Sequence, residues 1–232
     1  MSLVDLRKEL FKFKDSEQAK NLSRFFKTDK GDYGEGDKFL GIKMAPQRVI
    51  ARKYKDLPLL SVQSLLDSKY HEERMLGLLI LVYKYQDSDD KESICKFYLK
   101  NWKAINNWDL VDVTTPQIVG DYLLEKDKKV LYELAASKNI WKKRISILAT
   151  FTFIRNDLYE DTLKISKILL NDSHDLIHKA VGWMLREVGN RDLIVEEKFL
   201  KKYYKKMPRT MLRYAIEKFP EEKRQAYLKG KI

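Results

Sequence analysis

"HEERMLGLLILVYKYQ", residues 71–86, decides the fold class. Wound as a helix, this stretch presents Met, Leu, Ile and Val over most of its circumference. A helix apolar on nearly every side must be buried on nearly every side, so it reads as a central element with other helices packed around it. Further upstream, "PQRVIARKYK" has amphipathic spacing, with Pro46 suited to a first helical turn. Before it, "KTDKGDYGEGDKFLGIKMAPQR" holds four of the nine glycines and is the one clear extended loop. "VDLRKELFKF" and "EQAKNLSRFF" open the chain as two short amphipathic helices. Downstream, "DKESICKFYLKNWKAI" is amphipathic with Asp90 placed to cap it. Thr114 and Thr115 before Pro116 predict that a helix restarts there.

The remaining sequence continues as helical periods bounded by Asn, Asp, Ser, Gly or Pro. "LATFTF" carries β-branched and aromatic residues, but it lies inside a longer helical period, so helix is expected and no convincing strand appears. The helices come in pairs, with corresponding features roughly 35 to 45 residues apart, the mark of HEAT-like repeats. "WKKRISIL" and "HKAVGWML" sit in successive pairs. The expectation is an all-α, HEAT-like helical-repeat solenoid, curved, with a concave basic face, and residues 1–232 forming a single domain. An irregular helical bundle is the alternative.

Composition narrows the function. A formal net charge of +12, 44% hydrophobic and 34% charged residues describe a globular chain with a basic surface. Lys198 to Ile232 alone holds twelve Lys or Arg against three Glu, a net of +9. Such a surface suits nucleic acid, although a solvated lysine-rich face or an anionic membrane would match it equally. The single cysteine, Cys95, excludes an internal disulfide framework and any four-cysteine metal site; its apolar neighbours make it a buried thiol. His174 and His178 form the one helical histidine pair, without the glutamate of a metalloprotease motif, so no metal is expected. No apolar run approaches the ~20 residues that span a bilayer. "MSLVDLRKEL" has no apolar core of a signal peptide, which makes a cytoplasmic location the expectation.

"INNWDLVD", residues 105–112, then raises a question of charge. Asn106 or Asn107 can cap a helix, Asp109 suits its first turn, and Trp108 suits the core. Asp112 is left over. At helical spacing it shares a face with Trp108 one turn earlier, whereas Asp109 points elsewhere. Trp183 shares its face with Lys179 and Arg186, and Arg144 occupies a comparable place one helix pair before. Trp102 and Trp141 lie among apolar neighbours and read as core.

"FLGIKMAPQR", "NNWDLVD", "WKKRISIL" and "HKAVGWMLRE", in that order, resemble the AlkD-type DNA alkylation repair proteins, HEAT-like-repeat glycosylases that remove alkylated purines. The resemblance runs from about residue 5 to 225, and several ordered motifs carry it. It implies that Asp112 is the catalytic carboxylate and that Trp108 and Trp183 flank the lesion's deoxyribose. It implies that Arg144 and Arg186 hold the DNA backbone, with Lys179 on the same face as Arg186, and that Lys43 and Arg48 approach DNA. It further implies a monomer acting on double-stranded DNA with alkylated bases, without metal or organic cofactor, associated with the nucleoid through DNA. The family carries an aromatic near the end of the early helices; Phe25 and Phe26 both stand there, and the resemblance does not choose between them. A non-catalytic helical-repeat module that binds damaged or unusual DNA is the second expectation, and retention of Asp112 favours the enzyme.

Overall fold

The computed structural model describes residues 2–232, and its regular structure is helical. Among the described residues there is no strand, only an isolated bridge between Lys38 and Tyr70. The chain divides into two compact units between Thr114 and Thr115.

In the first unit, α1 (Leu3–Phe11), α2 (Ser16–Phe25), α3 (Met44–Lys53), α4 (Leu59–Leu66), α5 (His71–Asp87), α6 (Lys91–Lys100) and α7 (Trp108–Thr115) follow one another. Helix α5 is the expected centre, and α3, α4 and α6 all pack on it. Leu76, Leu78, Ile80 and Leu81 are fully buried along its length. The starts obey capping chemistry: Ser2 forms a capping box with Asp5, and the Asp15 and Asp90 side chains accept backbone N–H groups of α2 and α6. The glycine-bearing segment between α2 and α3 is irregular, as expected. Gly41 is indispensable to its path. Its φ is +81°, and a Cβ there would lie 1.9 Å from the Asp15 carbonyl oxygen at the head of α2.

The expected restart at Pro116 is not what forms. Helix α7 runs directly into a π-helical turn, Pro116–Gly120, which continues as α8 (Asp121–Leu123). A proline inside a helix brings no N–H to the carbonyl four residues back, and widening the ladder by one residue accommodates it. The Thr152 hydroxyl donates to the Pro116 carbonyl at 2.6 Å and ties the turn to the following layer.

The second unit then repeats. Helices α9 (Lys129–Ala135), α10 (Ile140–Arg155), α11 (Glu160–Ile168), α12 (Asp175–Arg191), α13 (Leu193–Tyr203), α14 (Arg209–Ala215) and α15 (Glu221–Leu228) alternate between two layers. Helices α10, α12 and α14 pack successively on one another, while α9, α11 and α13 back them. The inner helices start at Ile140, Asp175 and Arg209, a spacing of 35 and then 34 residues, which is the helical-repeat arrangement. Gly182 permits the close packing of α12 on α14, since a Cβ there would stand 2.4 Å from the Met211 carbonyl oxygen on α14. "LATFTF" is helical within α10, as its period demands.

Candidate active site

Trp108 is the first residue of α7, and Asp112 lies one turn along the same helix; both are half-buried. Asn107, fully buried, accepts the Trp108 N–H at 2.8 Å and so fixes the start of the helix. The indole leans on Phe26, with centroids 5.2 Å apart, and meets the edge of Phe25 at 5.8 Å. Phe26 is 6% exposed and stacks on Phe39, and both rings lie against His71. Phe25 is 62% exposed, so it is the early aromatic that reaches solvent beside Trp108.

Beneath the aromatic layer is a charge cluster that apolar periodicity did not disclose. His71, Glu72, Glu73 and Arg74, the first turn of α5, are all at least 95% buried. His71 sits between two carboxylates, with Nε2 2.8 Å from Asp109 and Nδ1 3.3 Å from Asp37. The other Asp109 oxygen accepts the Leu110 N–H at 2.8 Å, so this residue links α7 to α5 as well as serving its first turn. Arg74 donates to Asp37 at 2.6 Å and to Asn106 at 3.0 Å, and Asn106 donates to the same Asp37 oxygen. Glu73 pairs with Arg7 at 2.9 Å. Two carboxylates, Asp37 and Asp109, and two cations, protonated His71 and Arg74, balance one another, and removing any one would leave an uncompensated buried charge.

Burial disfavours the imidazolium, but the Asp109 charge, the Asp109 hydrogen bond and the Asp37 hydrogen bond outweigh it and hold the His71 pKa up to about 9. A histidine pKa raised above its ordinary 6.5 adds stability that is full below that value and is lost as pH climbs through the raised one. The apparent Tm is therefore expected to fall between pH 7 and 10, with a shallower fall in His71→Gln. Thermal melts across that range decide it, and equal slopes for the two proteins would mean His71 is not charged in the native state.

Glu72 fixes the loop that leads to α3. One carboxylate oxygen accepts the Leu40 N–H at 2.9 Å, and the other accepts Gly41 at 2.8 Å and Ile42 at 3.2 Å. Lys43 follows as the N-cap of α3, and Arg48 lies along that helix; both are exposed.

The second unit carries the other residues singled out in the sequence. Trp183 on α12 is half-buried, donates to Glu187 at 2.9 Å and packs 5.6 Å from Phe151. Arg186 bonds Glu217 and also reaches Glu187 at 3.4 Å. Near it, burial and the charge of Glu197, opposed by Arg186, push the Glu196 carboxyl up to about 8. Lys179 pairs with Asp175 at 2.7 Å. Arg144 is 5% exposed and donates to the Leu176 carbonyl at 2.6 Å, bracing α10 against the head of α12. Of the five cations expected to meet phosphate, three thus have partners within the chain, while Lys43 and Arg48 stand open. Trp141 is buried and Trp102 half-buried. The His174 ring accepts the Leu176 N–H, and His178 donates to the Asp172 carbonyl, so both rings serve the backbone around the head of α12. Burial pushes the Cys95 thiol up to about 12, which leaves it inert.

Helices alternating in two layers at a spacing of 35 and 34 residues define a helical-repeat protein. The sequence matches the family described as DNA alkylation repair enzyme over residues 6–219, and the chain belongs to that family. Among solved structures it is similar to a "Predicted DNA alkylation repair enzyme from Enterococcus faecalis", with a TM-score of 0.71 at 14% identity, covering 90% of this chain and 97% of that one. No curated protein matches it. No helix among the described residues is long and apolar enough to cross a membrane.

Proposed function

We propose that the protein is a monofunctional DNA glycosylase of base excision repair, hydrolysing the N-glycosidic bond of cationic alkylpurines such as 3-methyladenine and 7-methylguanine in duplex DNA. The observation that carries this reading is the half-exposed Trp108–Asp112 pair on one face of α7, in a chain of the DNA alkylation repair family. Alkylation at N3 of adenine or N7 of guanine makes the base cationic. When the C1′–N bond breaks, its electron pair returns to the base, which leaves neutral and needs no general acid. Positive charge then grows on the sugar. The Asp112 carboxylate opposes that charge and orients the water whose oxygen bonds C1′ and whose proton is released. The Trp108 face attracts the cationic base and sugar by roughly 0.5–2 kcal/mol. Ordinary purines carry no such charge, so the lesion's own chemistry selects the substrate.

Incubation with duplex DNA carrying 7-methylguanine, followed by chromatography of the small molecules released, tests the reading. Free 7-methylguanine and an alkali-labile strand are expected. Tight binding with no released base would make the protein a non-catalytic reader of damaged DNA. Binding itself should weaken with salt. Lys43, Arg48 and a few lysines of the basic C-terminal segment give roughly four phosphate contacts, which corresponds to about a 10²-fold loss of duplex affinity between 50 and 200 mM salt. Fluorescence anisotropy measures this, and a flat salt response would remove the phosphate contacts from the account.

A further inference from the structure

We infer that the first unit carries a second anion site, a pocket for a phosphate group, separate from the Trp108–Asp112 face of α7. A cavity of about 380 Å³ opens between the α4–α5 connection and the end of α6, lined by Asp67, Ser68, Arg74, Lys100, Asn101, Lys103 and Asn106 together with Leu66 and Ala104. Its lining is mostly polar and basic, unlike the apolar walls of a pocket for a hydrophobic ligand.

Three features of the side chains point to an anion. Arg74 is 5% exposed, and its guanidinium already gives one Nη to the Ser68 carbonyl at 2.9 Å and the other to Asp37 and Asn106. That grip fixes the group in place, yet its buried Nε has no hydrogen-bond partner. Lys100 and Lys103 are exposed at the same cavity, and neither ammonium is in an ion pair with a carboxylate. The one lining carboxylate, Asp67, accepts the Gln63 amide at 2.8 Å. With the Arg74 charge met by Asp37, two ammonium groups without carboxylate partners stand at the cavity against one lining carboxylate. A fixed guanidinium beside two exposed ammonium groups is a donor set suited to phosphate oxygens.

The phosphate can belong to the DNA backbone or to a free phosphate compound, and one set of measurements separates them. Inorganic phosphate is titrated into the full chain at constant ionic strength and followed by calorimetry, beside Lys100→Ala/Lys103→Ala, which alters only exposed side chains. Saturable binding is expected, weakened at least roughly tenfold in the double variant, the size of losing charge-assisted hydrogen bonds. If undamaged duplex DNA also binds the variant more weakly, and phosphate competes with duplex for the native chain, the backbone supplies the group. If duplex affinity is unchanged, a free phosphate compound does. Equal phosphate binding by both proteins, or no saturable binding by the native chain, overturns the assignment. So does a loss of duplex affinity without phosphate competition, because the lysines would then act only as general surface charge.

Discussion

Asp112→Asn is expected to slow release of 7-methylguanine from duplex DNA by about 10³-fold, the loss typical when a preorganised electrostatic partner of a transition state is removed. Asparagine keeps the size and hydrogen-bonding capacity of the side chain and removes only its charge, so α7 should fold unchanged. The bound lesion loses little from the substitution, because the sugar becomes strongly cationic only as the glycosidic bond breaks. The effect therefore belongs to the bond-breaking step and not to association. Duplex affinity should stay nearly constant or rise, since a negative charge has left a surface facing phosphates. Single-turnover kinetics with saturating protein give the first quantity and anisotropy the second. Undiminished release would remove Asp112 from the mechanism. Release and affinity falling together would make it a binding residue instead.

How much of this could be read from residues alone follows from the range of the interactions. Helical periodicity and caps are local, so the Asp90 cap, the helix through "LATFTF" and the Trp108–Asp112 spacing were all legible. The helices α4, α9 and α15 were not singled out, because with 8, 7 and 8 residues each is too short to establish an amphipathic period. Pro116 read as a restart because a π turn has no sequence signature beyond the proline itself. The buried charges at the head of α5 were invisible for a different reason. His71 meets Asp37 and Asp109, 34 and 38 residues away, and no periodicity reports a partner at that distance. For Arg144 a signal did exist. Trp141 three residues before it and Leu148 four after it are buried, so the arginine lies on the inward stripe of α10.

Glu72→Ala should be the most damaging single change to stability away from the hydrophobic core. The carboxylate is 1% exposed and accepts three consecutive backbone N–H groups, from Leu40, Gly41 and Ile42. Alanine leaves all three without an acceptor, at about 1–3 kcal/mol each, so a loss of about 5 kcal/mol is expected. In a chain of this size that lowers Tm by roughly 10 °C or more. Glu72→Gln should fall between the two, because its amide oxygen can still accept while its NH₂ group faces a donor. The damage should also spread. The same loop carries Asp37, which holds His71 and Arg74, so loosening the backbone at Gly41 weakens the cluster beneath Trp108. Thermal denaturation measures the loss, and amide exchange at residues 40 to 42 locates it. A Glu72→Ala protein within about 1 kcal/mol of the native chain would mean that water replaces the carboxylate at those amides.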